Sequence, residues 1–581
     1  MDVIATAGHV DHGKSALVRA LTGMEPDRWA EERRRGLTID LGFAWTTLPS
    51  GRRLAVVDVP GHERFVGNML AGVGSVPAAL VVVAADDGWS AQTAEHVAVL
   101  DALGVRHAVL VVTKADLADP APVLADARER LADTSMGDVA AVAVSARTGE
   151  GMPELIAALE ALLAGLPAPD AAAPVRLWID RAFTIRGAGT VVTGTLAAGA
   201  VATGDRLQLG RRDVVVRGVH SLGEPVDRAA ATARVALNLR GVAVEDLSRG
   251  DALLTPGAFR STDLLDVALT GTGQDRLPAE PVVHVGSATV GARLRPLDGA
   301  VVRLRLAHPL PVRVGDRLLL RDPGSRRVLG ADVLDVDPPE LRRRGSARQR
   351  AKELVARPAG AAGASAELAR RRIVRADDFL AMGWPIPADA TVHGSWLLAG
   401  GLADDLAARV PQVVARYRQL RPLEPGPPEE VLRRALELPE AALLPAVVRT
   451  PFVLRDGRVV DDAATLPPAV QSAVDAIRRR LAGDPFAAPE LPELAAAGLG
   501  VRELAAAVRS GQLLRIAEGV YLAPDVASAA RSRLVALQQP FTLSQARQAW
   551  GTSRRVAVPL MEWLDAQRVT VRLEDNTRRL R

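Results

Sequence analysis

Apolar positions along this chain follow three successive rhythms. Near the N-terminus, short apolar runs such as 3–7 and 54–57 alternate with stretches of helix-forming composition such as 16–21. That alternation predicts strands and helices in turn, an α/β domain over 1–170. After the linker APDAAAP at 168–174 the rhythm changes to alternating, β-branched stretches separated by glycine-rich turns. These predict two β-barrels, over 174–256 and 257–338. A third pattern runs from about 341 to the end: helical segments, then a short apolar pair containing a turn. It closes at RTPFVLRDGRVV (449–460), SGQLLRIAEGVYL (510–522) and AQRVTVRLEDNTRRLR (566–581), with Asp456-Gly457 and Glu518-Gly519 as hairpin turn signals. Four tandem winged-helix modules are therefore expected, over 341–400, 401–461, 462–524 and 525–581.

The candidate chemistry sits at the ends of the predicted strands. Residues 8–15 read GHVDHGKS, a phosphate-binding loop of the form GxxxxGK[ST] between a strand and a helix. Gly8 and Gly13 let the backbone N–H groups of a loop that includes Asp11 and His12 surround phosphates, and the helix N-terminus adds a favourable dipole. Lys14 supplies a point charge for the β and γ phosphates, and Ser15 a hydroxyl for Mg²⁺. Asp58 ends the strand of LAVVDVPGHE, where a carboxylate can hold a metal-bound water, and Gly61 allows a γ-phosphate to approach its N–H. His62 follows as the candidate catalytic residue, orienting the attacking water. In LVVTKAD, Asp116 is placed to accept from N1–H and N2–H of guanine, which adenine cannot satisfy, and Lys114 to cover the base. Thr113 stands where asparagine is more common in GTPases, so the bracing contact of that loop is expected to be altered. Ser145 and Ala146, in VAVSARTGEG, offer a backbone N–H to the guanine oxygen. Thr38, in RGLTID, is the candidate second hydroxyl ligand of Mg²⁺, binding only while a γ-phosphate holds its loop.

With GHVDHGK, RGLTID and DVPGHE in place, roughly the first 335 residues resemble the translational GTPases, the family of elongation factor Tu. The resemblance implies hydrolysis that is slow until the ribosome orders the site. Within the first barrel, DRAFTIRGAGTVVTGTL resembles the barrel of factors that carry aminoacyl-tRNA. Asp180 and Arg181, with Arg234 in RVALNLRG, match positions that line the aminoacyl pocket of selenocysteine-specific elongation factors. Selenocysteine is largely a selenolate at neutral pH, so two guanidinium groups oriented by Asp180 would favour it over neutral serine. His220, in RGVHSL, is a further pocket candidate. Tandem winged helices after a translational GTPase are what those factors use to bind an mRNA hairpin beside a UGA codon. The resemblance thus implies a GTP- and Mg²⁺-dependent monomeric factor that delivers selenocysteinyl-tRNA to the ribosome.

Composition is consistent with a large cytoplasmic protein. No secretory signal follows Met1, and no apolar run reaches the roughly 18 residues needed to span a bilayer. The absence of cysteine excludes disulfides and thiolate metal sites. Net charge is +4 overall, yet 531–581 alone holds ten arginines against four acids, so the other 530 residues sum to −2. That surplus points an RNA site at the last module, through Arg554 and Arg555 at a helix start and Arg572, Arg578 and Arg579 in the wing. For any single arginine, a solvated surface charge is the competing reading. Tyr521 and Trp550 have apolar neighbours and are expected in the core rather than under a base.

Two alternatives stay open. The GTPase and barrels also suit carriers of another aminoacyl-tRNA or a sulfate-activation GTPase, which the four-module tail disfavours. The tail also suits a DNA-binding regulator fused to a GTPase.

Overall fold

The computed structural model describes residues 1–26, 40–62, 66–74, 76–187, 189–271, 278–325, 327–461 and 466–581. They form two compact units, one of residues 1–367 and 375–388, the other of 368–374 and 389–581.

The first unit begins with a six-stranded sheet: β1 (Asp2–Ala7), β2 (Gly42–Thr47), β3 (Arg53–Asp58), β4 (Ala78–Ala84), β5 (His107–Thr113) and β6 (Ala140–Ala143). The order is β2-β3-β1-β4-β5-β6, with only β2 antiparallel to its neighbour. Helices cover both faces, so the strands are apolar on both sides and read as continuous apolar runs. Ala79, Val81 and Val83 of β4 enter one core; Ala78, Leu80 and Val82 enter the other, with Leu155 and Leu159 of the helix Met152–Ala164. The parallel strands bring the loops after β1, β3, β5 and β6 to one edge, the usual ligand edge of such sheets.

The first barrel is an eight-stranded antiparallel sheet. Strand Arg176–Trp178 lies at one end of its order and strand Arg181–Ile185 at the other. Ile179 and Asp180 join them: Ile179 N–H donates to the Asp251 carbonyl at 2.8 Å and Asp180 N–H to the Thr193 carbonyl at 3.0 Å. The sheet therefore closes on itself through one continuous stretch of chain. The second barrel is a closed ring of six strands between Ser261 and Asp335.

Helix Ser346–Ala356 packs on that second barrel, Ala351 and Leu354 against Leu297 and Val301. Within the charge run, Arg350 is buried: it donates to Asp266 Oδ2 at 3.0 Å and pairs with Asp335, while Arg303 donates to both oxygens of Asp266 at 2.7 and 3.0 Å.

In the second unit, three helix groups each end in a hairpin. Helices Leu402–Leu420, Glu429–Ala435 and Leu444–Val447 precede strands Phe452–Arg455 and Arg458–Asp461. Helices Pro468–Gly483, Leu491–Ala496 and Val501–Arg509 precede Leu514–Ala517 and Val520–Leu522. Helices Val526–Val535, Leu543–Trp550 and Arg554–Ala566 precede Thr570–Arg572 and Arg578–Leu580. Asp456 and Gly457 both have positive φ (52° and 71°), as a two-residue hairpin turn requires. A bridge from Phe541 to Arg578 adds a short third strand to the last wing, completing the winged-helix arrangement. The last two groups share one apolar core that runs from Val474 to Leu564 and includes Tyr521 and Trp550.

Candidate nucleotide site and adjoining cavity

The loop after β1 is held from several sides. Lys14 Nζ donates to the carbonyls of Gly8 (3.0 Å) and His9 (2.7 Å), so the ammonium is already drawn across the loop that would cradle phosphates. Gly8 N–H donates to Nδ1 of the buried His96 at 3.0 Å, from the helix Ala91–Ala102. Burial, then the nearby Lys14 and His9, push the His96 pKa down to about 3, which keeps this ring a neutral acceptor. His12 Nε2 contacts Asp87 at 2.8 Å, and burial lowers the His12 pKa against the opposing effect of that carboxylate. Gly13, at φ +78°, precedes the helix Lys14–Thr22, and Asp11 lies in the same loop at φ +64°.

Asp58 is fully buried and accepts from Thr6 Oγ1 (2.7 Å) and Ser15 Oγ (2.6 Å). Burial raises its pKa, and Lys14 and the two hydroxyls oppose that rise. A buried carboxylate in this position gains from a nearby cation, and Ser15 already orients its hydroxyl there. Among the described residues no group of three or more His, Asp or Glu side chains is gathered for a metal, so a divalent ion here would take most of its ligands from phosphate and water. Gly61 packs directly on the phosphate loop: a Cβ there would stand 2.5 Å from Lys14 Nζ and from Val10 N. His62 follows it, half-buried. Thr38 lies outside the described residues.

At the end expected to read the base, Thr113 Oγ1 donates to the His12 carbonyl at 2.6 Å, so the brace between this loop and the loop after β1 is made by a hydroxyl. Lys114 (φ 58°) reaches Asp86 at 3.1 Å. Asp116 accepts from Ser145 Oγ (2.6 Å) and from Arg147 Nε (2.8 Å), which hold its carboxyl below the usual range, Ser145 foremost. The loop of Ser145 and Ala146 is closed by Ser145 N–H on the Glu150 carbonyl at 2.9 Å. Sequence reading did not single out Thr6, Asp87, His96 or Arg147.

A cavity of about 300 Å³ opens between β2 of this domain and the first barrel. Its walls are largely apolar, with Arg181, His220 and Arg234 among them. Strand register explains the convergence: His220 pairs with Ala236, Ala236 with Thr193 and Thr193 with Arg181, while Arg234 pairs with Thr195 one step along the same face. Asp180 was expected to orient both guanidinium groups. It takes Arg234 alone, through both carboxylate oxygens, because Arg181 is held by Asp40 at 2.8 Å.

In the last module Arg554 and Arg579 are exposed, and Arg572 donates to Asn576 at 3.0 Å. Two of the arginines expected at RNA are otherwise engaged. Arg578 is 8% exposed, donates to the Asn576 carbonyl at 2.9 Å and faces Asp565, because its strand sits between strand Thr570–Arg572 and Phe541. Arg555 donates to the carbonyls of Ala488 (2.6 Å) and Gly519 (3.0 Å) in the preceding module.

Comparison with known proteins covers the same segments. Residues 1–164 match the family described as elongation factor Tu GTP binding domain, 189–254 elongation factor Tu domain 2, 278–340 the selenocysteine-specific elongation factor beta-barrel domain, and 533–580 the elongation factor SelB winged helix. The chain is 37% identical over 464 residues to the selenocysteine-specific elongation factor of Escherichia coli, covering 76% of this chain and 74% of that one. It is 39% identical over 338 residues to the factor of the same name from Desulfomicrobium baculatum, covering 55% and 53%. The crystal structure of a bacterial selenocysteine-specific elongation factor superposes with a TM-score of 0.78 over 100% of both chains at 27% identity. That of the Methanococcus maripaludis factor with a GTP analogue gives 0.51 over 57% of this chain and 79% of that one, at 26% identity. A GTPase domain, two barrels and a winged-helix tail, each matched in order, place this chain in the selenocysteine-specific elongation factor family, as a GTP-dependent factor of selenocysteine incorporation.

Proposed function

We propose that this GTPase binds selenocysteinyl-tRNA with the aminoacyl group in the cavity beside β2, and acts as a monomer in the cytoplasm. It delivers that tRNA to ribosomes at UGA codons marked by an mRNA hairpin. The observation that carries the reading is the meeting of Arg181, Arg234 and His220 on one barrel face next to the GTPase sheet. A selenolate gains from two guanidinium donors in a largely apolar enclosure, where charge-assisted hydrogen bonds are strong. A seryl hydroxyl gains no comparable charge term.

In the nucleotide site, Lys14 and the phosphate-loop N–H groups bind the phosphates, and Asp116, held by Ser145, reads guanine. Mg²⁺, held by Ser15 with Thr38 as its second hydroxyl, would neutralise charge on the β and γ phosphates, with Asp58 accepting from a metal-bound water. His62 orients the attacking water once the ribosome has ordered its loop. Arg554, Arg572 and Arg579 of the last module meet hairpin phosphates, giving affinity that falls with salt and favours the folded hairpin over duplex DNA.

The test is Arg234→Met in the full chain, scored by protection of the aminoacyl ester on one tRNA body. The reading requires that the preference for selenocysteinyl over seryl cargo collapse while GTP affinity is kept. An undiminished preference would refute the assignment of this cavity.

A further inference from the structure

Arg181 and Arg234 line the same cavity, yet their carboxylate partners come from different domains. Arg234 is paired by Asp180, in its own barrel. Arg181 Nη2 donates to Asp40 Oδ2 at 2.8 Å and to the Leu41 carbonyl at 2.6 Å, both in the GTPase domain. Both guanidinium groups lie over the ring of Phe43, centred 5.3 Å from Arg181 and 3.9 Å from Arg234, and the electron-rich ring favours both charges. Another arginine of the first barrel, Arg249, stands 3.8 Å from Asp40 and donates to Asn68 Oδ1 at 2.7 Å, on the helix Val66–Val73 that follows the DVPGHE segment.

Asp40 is also tied to the nucleotide end of the domain. Two residues on, Gly42 faces Asp58 across the β2–β3 ladder, so closely that a Cβ at Gly42 would lie 3.2 Å from the Asp58 Cβ. A shift of that ladder at Asp58 must carry β2 and the residues leading into it.

We propose that Asp40 is a positioning residue that couples the nucleotide to the cargo pocket, by holding or releasing Arg181. While Asp40 pairs with Arg181, both guanidinium groups of the cavity face a carboxylate, Asp40 being shared with Arg249, and an anionic cargo must compete for Arg181. When the GTPase domain moves Asp40 away, the cavity gains one uncompensated positive charge and Arg181 is free to donate to the cargo. Asp180 cannot act in this way, because it moves with the barrel that carries Arg234. By linkage, a cargo that takes Arg181 from Asp40 favours the same nucleotide state by the same factor. The inference rests on the reading of this cavity as the aminoacyl pocket.

The experiment uses the full chain, wild type, Asp40→Asn and Asp40→Glu. Protection of selenocysteinyl-tRNA is titrated with GTP and with GDP, and nucleotide affinity is measured separately with a fluorescent analogue. Asp40→Asn keeps the side-chain shape and removes the charge, so protection in the GDP form should rise toward that in the GTP form. The GTP-over-GDP ratio should fall at least about fivefold, the lower end of ordinary site–site couplings. Asp40→Glu should restore part of it. A ratio for Asp40→Asn equal to wild type, including an equal loss in both nucleotide forms, overturns the proposal. A wild-type chain that protects selenocysteinyl-tRNA no better than seryl-tRNA would instead overturn the pocket assignment beneath it.

Discussion

The hydroxyl of Thr113, at the end of β5, donates a 2.6 Å hydrogen bond to the backbone carbonyl of His12 in the phosphate loop. Both groups are buried, so Thr113→Val keeps the shape of the side chain but strands the carbonyl. A buried acceptor left without a partner costs roughly 1–3 kcal/mol. GTP and GDP affinity should therefore fall together, by about thirtyfold at the middle of that range, when dissociation of a fluorescent nucleotide is followed. Unchanged dissociation of both would show that the brace is idle.

His96 makes the nucleotide domain sensitive to acid. Its folded pKa of about 3 lies below the ordinary 6.5, so between those values the unfolded chain binds a proton that the folded chain refuses. Its contribution is complete above pH 6.5 and is lost as pH falls toward 3, at up to about 1.4 kcal/mol per pH unit. His96→Gln retains an acceptor for Gly8 N–H and has no proton to take up. Hydrogen exchange of β1 and β4 amides at pH 7 and pH 5 should show a smaller acid loss in the variant than in wild type; equal losses would contradict the account.

Arg350 anchors the start of the tail to the second barrel. Replacing it with alanine leaves the buried carboxylates of Asp266 and Asp335 with less positive charge to balance them, a loss of roughly 3–5 kcal/mol for a broken buried pair. Helix Ser346–Ala356 should loosen, and trypsin should cut the chain between 342 and 357 faster than in wild type. Cleavage at the wild-type rate would mean that the apolar contacts of Ala351 and Leu354 suffice.

The last two winged-helix groups should unfold as one body. Trp550 stacks on Phe486 of the preceding group with centroids 5.7 Å apart, and Thr552 donates to the Phe486 carbonyl at 2.7 Å. Trp550→Ala should cost about 3–5 kcal/mol and lower exchange protection across 468–580 together. Loosening confined to 526–580 would show that the shared core is not cooperative.

Much of the candidate nucleotide site could be drawn from the sequence because a phosphate-binding loop works through consecutive backbone groups, so its residues are neighbours in the chain. His96 and Arg147 could not, since they reach Gly8 and Asp116 from 88 and 31 residues away and carry no local signature. The barrel face was partly legible: Arg181, His220 and Arg234 fall on one face by strand register, but the claim of Asp40 on Arg181 joins two domains and appears only in three dimensions. The arginine surplus of the last module was plain from composition. Its division between exposed Arg554 and Arg579, buried Arg578 and the inter-module ties of Arg555 depends on the Phe541 bridge and the shared core.

The most direct test of the central claim is ester protection by the wild-type full chain with GTP, comparing selenocysteinyl and seryl groups on the same tRNA body. With the proposed cargo site beside two guanidinium groups, strong protection of the selenocysteinyl ester and little of the seryl ester is expected. Equal protection of the two would contradict the account.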